Sequence, residues 1–323
     1  VKLLGRTTRP EDLDQCLAIV RDGFLYDDAA RADLRSLWLE LITRDTGRSA
    51  VVFEANDPGR VLVFGVSAAI DARRFEAILA EREPFVARAL LEQWRSGKNP
   101  FLDNGTFASA NSGDGLYFCV LNNGVSEQLD AADLPAALSA LSGEFVIQHA
   151  GCNLSGLVHE AFGVPREFAT DLGVTITDHA PVYASRVAAL PKDRVPAFII
   201  SMTRDEAKLR QGNLALNQIF LRFTPPRCAL PTHGRRLLRY ALEGTPDERI
   251  AEILNFAPST LKKRWAEVYA AMEPVTGIAP GLGNGQRGTE IRRHVLRYVR
   301  EHPEELHAYA AGATEPLVQQ RAT

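Results

Sequence analysis

The chain has 323 residues, 46% of them hydrophobic and 24% charged, with a formal net charge of −3. This suits two domains, or three, with sizeable cores; no apolar run approaches the ~20 residues of a membrane span, and Val1-Lys2-Leu3-Leu4 leads at once into charged residues in place of a signal peptide, so a cytoplasmic protein is expected. The four cysteines, Cys16, Cys119, Cys152 and Cys228, are too irregularly spaced for a zinc module or a disulfide framework and read as reduced, partly buried thiols, with a redox-sensing pair as the alternative.

In chain order, residues 1–224 read as mixed α/β. Helical spacing of apolar residues appears near 9–23, 29–42, 71–93 and 134–141, with a further helix expected over 154–162. Strand-like runs appear at 49–54, 60–67, 115–121 and 144–148. Asn56-Asp57-Pro58-Gly59 between the first two suits a hairpin loop. Ala197-Phe198-Ile199-Ile200 suits a buried strand. Residues 101–115, rich in Asn, Gly and Ser, read as a surface loop or as a lid over a ligand pocket. Trp38 and Trp94 read as core residues, with pocket walls as the other option.

This order of elements, with the opening Thr8-Arg9-Pro10-Glu11-Asp12-Leu13, resembles the GNAT acyltransferase fold, which adds a strand before the first helix. That family holds the coenzyme A pyrophosphate with a Q/R-x-x-G-x-G/A loop after its central strand. Here Leu121 is followed by Asn122-Asn123-Gly124-Val125-Ser126, which does not match. Acyl transfer is therefore not the preferred expectation for this part.

Residues 225–323 follow a linker at 223–231 that carries Pro225, Pro226 and Pro231. They hold fourteen Lys and Arg against eleven Asp and Glu, so this part is positive and the upstream part negative. A first helix near 234–242 carries Leu237, Leu238, Ala241 and Leu242 on one face and stops at Gly244. Thr245-Pro246-Asp247-Glu248 reads as a capped start for a second helix bearing Ile250, Ala251, Ile253 and Leu254. A third opens at Pro258, with Leu261, Trp265, Val268, Tyr269 and Met272 inward. A fourth begins near Thr289, with Ile291, Val295, Leu296 and Val299 on one stripe and Arg292, Arg293, Arg297 and Arg300 on another.

Gly244, Glu248-Arg249-Ile250-Ala251, Leu254 and Ser259-Thr260-Leu261-Lys262 make this segment similar to the LuxR-type (NarL/FixJ-type) helix-turn-helix of transcription regulators. The resemblance implies an all-α DNA-binding domain over 225–323, and it makes the α/β domain over 1–224 a signal- or ligand-sensing domain. It implies that Lys262, Lys263 and Ala266 lie nearest base edges, and Ser259, Thr260 and Arg264 near the sugar-phosphate chain. The expected partner is double-stranded DNA, bound by a homodimer whose recognition helices sit about 34 Å apart, with an unidentified small-molecule or protein signal, no cofactor and no metal. Ala257 departs from the Ser or Thr cap usual there. On this reading the chain is a regulator without enzymatic activity; a GNAT-like acyltransferase with an accessory helical domain is the alternative.

His149-Ala150-Gly151-Cys152, followed by His159, invites a metal or nucleophile reading, but a zinc site needs four ligands and a thiol nucleophile needs a base and an oxyanion hole. A packed turn lining a pocket is the expectation. The glycine-rich stretch 281–288 follows a helix and not a strand, so it reads as a connector and not a dinucleotide loop.

Overall fold

The computed structural model describes residues 2–20, 26–209, 215–228, 230–277 and 286–310. Most of the 281–288 connector and the tail beyond 310 lie outside them. The chain divides into two compact units. The first comprises Val1–Asp103, Leu116–Ala150 and Leu154–Arg222; the second comprises Asn104–Gly115, Gly151–Asn153 and Phe223–Thr323.

The strands are β1 (Leu3–Thr7), β2 (Gly47–Glu54), β3 (Asp57–Ile70), β4 (Leu116–Val125), β5 (Leu154–Phe162), β6 (Thr175–Thr177) and β7 (Ala197–Thr203). The helices are α1 (Leu13–Ile19), α2 (Asp28–Arg44), α3 (Ala72–Glu81), α4 (Val86–Arg95), α5 (Asn104–Ser112), α6 (Leu134–His149), α7 (Arg166–Asp171), α8 (Ala184–Ala188), α9 (Arg204–Leu209), α10 (Ala215–Leu221), α11 (Thr232–Leu242), α12 (Asp247–Leu254), α13 (Pro258–Thr276) and α14 (Gln286–Glu301).

In the first unit all seven strands form one sheet in the order β1-β2-β3-β4-β5-β7-β6. Every pair is antiparallel except β4–β5, which is parallel because α6 carries the chain back across the sheet. Seven of the eight residues of β2 are buried, so this strand is covered on both faces. One face packs Val51, Phe64, Val66, Ile70, Cys119 and Val158 against Leu13, Leu34, Trp38 and Leu90 of α1, α2 and α4. On the other, Val52 and Val63 meet Ala137 and Leu141 of α6. The opening motif is fastened by a buried bidentate pair, Arg6 to Asp12 at 2.5 and 2.8 Å.

Three local expectations are corrected. Residues 154–162 form β5 and not a helix. Residues 144–148 end α6 and are not a strand. The single helix expected over 71–93 is two, because Pro84 disfavours helical geometry at Glu83 and Phe85 turns left-handed at φ 73°. Trp38 is fully buried in the core and Trp94 packs at its margin.

The second unit is helical. Its core joins Leu237 and Leu238 of α11, Ile250 and Leu254 of α12, Leu261, Trp265 and Val268 of α13, and Val295 and Val299 of α14. Gly244, next after the Glu243 C-cap of α11, sits at φ +78°, a conformation side chains disfavour. The expected Thr245 cap is corrected: Pro246 is the N-cap of α12 and makes no side-chain cap bond. Ala257 at the start of α13 likewise has none. Residues 101–115 are not a loop or lid throughout, since α5 forms there with Phe107 and Asn111 fully buried. Asn111 accepts from the Asn153 N–H at 2.8 Å and donates to the Ala308 carbonyl at 2.9 Å. Cys152 Sγ lies 3.4 Å from His307 Nδ1.

Candidate functional site

Strands β4 and β5 pair from Leu116/Leu154 to Val120/His159 and then part, although β4 runs on to Val125 and β5 to Phe162. Just there β4 carries a bulge: Ser67 faces Val120 but Val66 faces Asn122, so Leu121 is one residue too many for β3. In a regular strand residues three apart point to opposite faces. The extra residue reverses the alternation, so Val120 and Asn123 line the same cavity while Asn122 bonds the Tyr26 hydroxyl at 3.2 Å. Gly124 follows because a Cβ there would sit 2.8 Å from both Ile19 and Phe64.

That cavity lies within the first unit, between α6 and the sheet, and holds about 740 Å³. Val120, Leu157, Ile200 and Met202 form its floor, and Leu141 and Val146 of α6 face them. A smaller cavity of about 60 Å³, lined by Asn123, His159 and Glu160, opens where β4 and β5 separate.

His159 belongs to both cavities. Its Nδ1 lies 3.2 Å from the Val120 carbonyl and its Nε2 3.2 Å from Asn123 Nδ2. A carbonyl only accepts, so the proton sits on Nδ1 and Nε2 presents its lone pair to the amide. Burial lowers the His159 pKa below the ordinary histidine value, against the opposing pull of the Val120 carbonyl. The ring is therefore neutral at physiological pH and able to accept a proton.

Behind it, Glu160 is buried and accepts from the N–H groups of Phe85 at 2.8 Å and Val86 at 2.7 Å, at the start of α4. His149 also lines the large cavity. Its Nδ1–H donates to Phe145 O at 2.7 Å, Nε2 accepts from Ser67 Oγ at 3.1 Å, and the ring is held between Phe145 and Phe118. With both edges and both faces engaged, His149 is a wall of the cavity.

The expected cluster at 149–159 is thus divided. His149 and His159 line one cavity, whereas Cys152 belongs to the second unit. Among the described residues no group of three or more His, Cys, Asp or Glu is placed to hold a metal ion. Ser67 and the bulge carried no local signal; Asn123 stood in the sequence only as part of an unmatched loop.

The residues expected at DNA lie on the first turns of α13. Ser259, Lys262, Lys263 and Ala266 are exposed, and Thr260 and Arg264 are half-buried. Arg264 is drawn sideways to Glu267 at 2.8 Å, which also meets His233 at 2.9 Å.

No protein-family model and no curated protein matches the chain. Solved structures resemble it in fold. The C-terminal condensation domain of Ebony, in complex with beta-alanyl-dopamine, is 14% identical over 63% of this chain and 99% of its own, with a TM-score of 0.39. A protein from Desulfovibrio desulfuricans assigned to the GNAT acetyltransferase family is 9% identical over 62% and 99%, with a TM-score of 0.34. The polyamine N-acetyltransferase of Drosophila melanogaster is 12% identical over 62% and 100%, with a TM-score of 0.36. These findings correct the expectation of a LuxR-type DNA-binding regulator without enzymatic activity. The physical reason is that apolar spacing and helix stops define a helical unit but not what its basic face meets. No helix among the described residues is long and apolar enough to cross a membrane. The chain holds a mixed-sheet α/β unit and a helical C-terminal region.

Proposed function

We propose that the sheet unit is an acyltransferase that moves an acyl group from a thioester donor to an amine. The observation that carries this reading is the parting of β4 and β5 beside the Leu121 bulge, with a neutral, half-buried His159 in the opening. Separation releases the facing backbone edges of the two strands from each other. N–H groups on such an edge suit the oxygen of a thioester carbonyl, whose negative charge grows as the carbonyl is attacked.

In the reaction the amine nitrogen attacks the carbonyl carbon, the new C–N bond forms and the C–S bond breaks. His159 Nε2 takes the proton lost by the amine and passes it, directly or through water, to the departing thiolate, which leaves as a thiol and restores the neutral ring. Asn123 holds the imidazole edge in position until the acceptor displaces its amide. Glu160, the next residue of β5, ties the strand to the start of α4 through the Phe85 and Val86 N–H groups and touches no reacting atom.

The family's donor does not fit this chain in the usual way. The segment after β4 lacks the pyrophosphate loop, and residues 116–149 contain four carboxylates and no lysine or arginine. No step above depends on a nucleotide.

The test is amine-dependent thiol release from an acyl thioester, followed by mass spectrometry of the amide. His159→Gln keeps a polar side chain without a proton-accepting nitrogen and is expected to lower kcat about 10²–10⁴-fold with little change in KM. A full rate in His159→Gln, or no amide with any amine across a broad panel, refutes the assignment.

A further inference from the structure

We infer that the large cavity beneath α6 takes the aliphatic chain of the acyl donor, and that the donor is recognised through this chain and not through a nucleotide diphosphate. This rests on the acyl-transfer reading above, which makes the transferred group's apolar part an alkyl chain.

The cavity has the size of a small-molecule site, about 740 Å³. Among the described residues that line it, Arg48 alone carries a full charge. Its guanidinium donates to the carbonyls of Asp45 at 3.0 Å, Gly47 at 2.8 Å and Gln148 at 3.2 Å, and so is spent on the protein's own backbone. The polar pairs Ser67–His149 and Gln148–Ser49 are closed upon themselves. Asn123 and His159 stand at the reacting end and Ser139, Ser142 and Ser201 add hydroxyls, but most of the remaining lining is hydrocarbon.

Helix α6 supports the same conclusion from its composition. Its sixteen residues include one carboxylate, Glu144, and no lysine or arginine. A helix so apolar belongs in an interior. Yet Leu141, Phe145 and Val146 are only half-buried and Ile147 is 63% exposed. A chain in the cavity would complete the burial that the protein leaves open on the inner side of this helix.

At the family's pyrophosphate position the charge is of the wrong sign. Glu127, Asp130 and Asp133 precede α6, and the Asp130 carboxylate is already used, accepting from the Ala132 N–H at 3.0 Å. A diphosphate here would meet like charges with no cation from this strand, loop or helix to offset them.

The experiment is calorimetric titration of the full chain, without acceptor, with N-acetylcysteamine thioesters of butanoic to dodecanoic acid. Each added methylene should tighten binding about fourfold, so dodecanoyl should exceed octanoyl on the order of 10²-fold. The coenzyme A thioester of the same acid should bind no more tightly. Gly65→Leu fills the cavity from the sheet, where an added Cβ would lie 3.7 Å from Leu141; Val146→Trp fills it from the half-exposed helix. Each should weaken dodecanoyl binding at least tenfold while far-UV circular dichroism and the melting midpoint stay native.

Affinity that is flat with chain length, or indifferent to both filling variants, overturns the assignment. So does a coenzyme A thioester that binds more than tenfold tighter than its nucleotide-free counterpart. Binding is read without turnover, so chain-graded binding with no amide product removes the transferase and leaves the cavity assignment, and amide formation without chain grading does the reverse.

Discussion

Replacing Glu160 tests whether the end of β5 is held by α4. The carboxylate is buried, with its side chain 5% exposed. It accepts from Phe85 N–H at 2.8 Å and Val86 N–H at 2.7 Å, and Oε1 lies 3.3 Å from His179 Nε2. A hydrogen bond to a charged group contributes about 1.5–3 kcal/mol net. Glu160→Gln keeps one acceptor oxygen and turns an NH₂ toward the second donor, so one bond is lost, about 1.5–3 kcal/mol. Glu160→Ala orphans both N–H groups and removes the anion from the N-terminus of α4; about 3–6 kcal/mol follows from two such bonds. Phe85 is held at φ 73°, so exchange of its amide and its neighbours' should accelerate first. Urea melts followed by circular dichroism, with amide exchange resolved along α4, give both quantities. A loss below about 0.5 kcal/mol in both variants, or unchanged exchange in α4, refutes the account.

Burial lowers the pKa of His159 and of His179, so between their folded values and the ordinary value near 6.5 the unfolded chain binds more protons than the folded one. Stability is therefore complete above that window and falls on acidification through it, by up to about 1.4 kcal/mol per pH unit for each histidine; denaturant melts from pH 7.5 to 5 would show no slope if the argument fails. The same depression places the acid limb of the kcat/KM profile below the limb of an ordinary imidazole, and a limb above pH 7 would remove His159 as the base. All four cysteines are buried, burial pushes the Cys16 and Cys119 thiols up and raises Cys228 to about 12, so a thiol reagent at pH 8 should label none of them before unfolding and all of them after. In the helical unit Arg292 stacks 4.3 Å above Trp265 and meets Asp247 at 2.9 Å; Arg292→Ala should cost about 0.5–2 kcal/mol, whereas Lys262→Ala and Lys263→Ala should stay within about 0.5, both read from melting midpoints.

Where a local rule determines structure, the amino-acid sequence alone was sufficient. Gly244 stops α11 because a left-handed residue is needed there. The hairpin between β2 and β3 is also present, although its turn is at Ala55–Asn56 and Asp57–Gly59 of the expected loop belong to β3. Ala197–Ile200 is apolar throughout and lies in a strand paired on both sides. The inward residues of α11 to α14 follow from spacings of three and four. The function did not follow, since the helical segment with the clearest pattern says nothing of the chemistry in the sheet.

Only the tertiary structure decided β5, the bulge and the cavity. Leu154, Leu157, Val158, Ala161 and Phe162 recur at helical spacing, and local propensity favours a helix as much as a strand; pairing with β4 and β7, far away in sequence, overrides it. The run Phe145-Val146-Ile147 reads as a strand by the same ambiguity, yet it continues α6 because no strand edge is offered to it. The bulge at Leu121 exists only relative to β3, as a count of two residues against one, and it alone turns Asn123 toward His159. A register is a property of a pair of strands, and a cavity is a property of the surfaces they leave apart; neither is written in the short-range pattern of either strand.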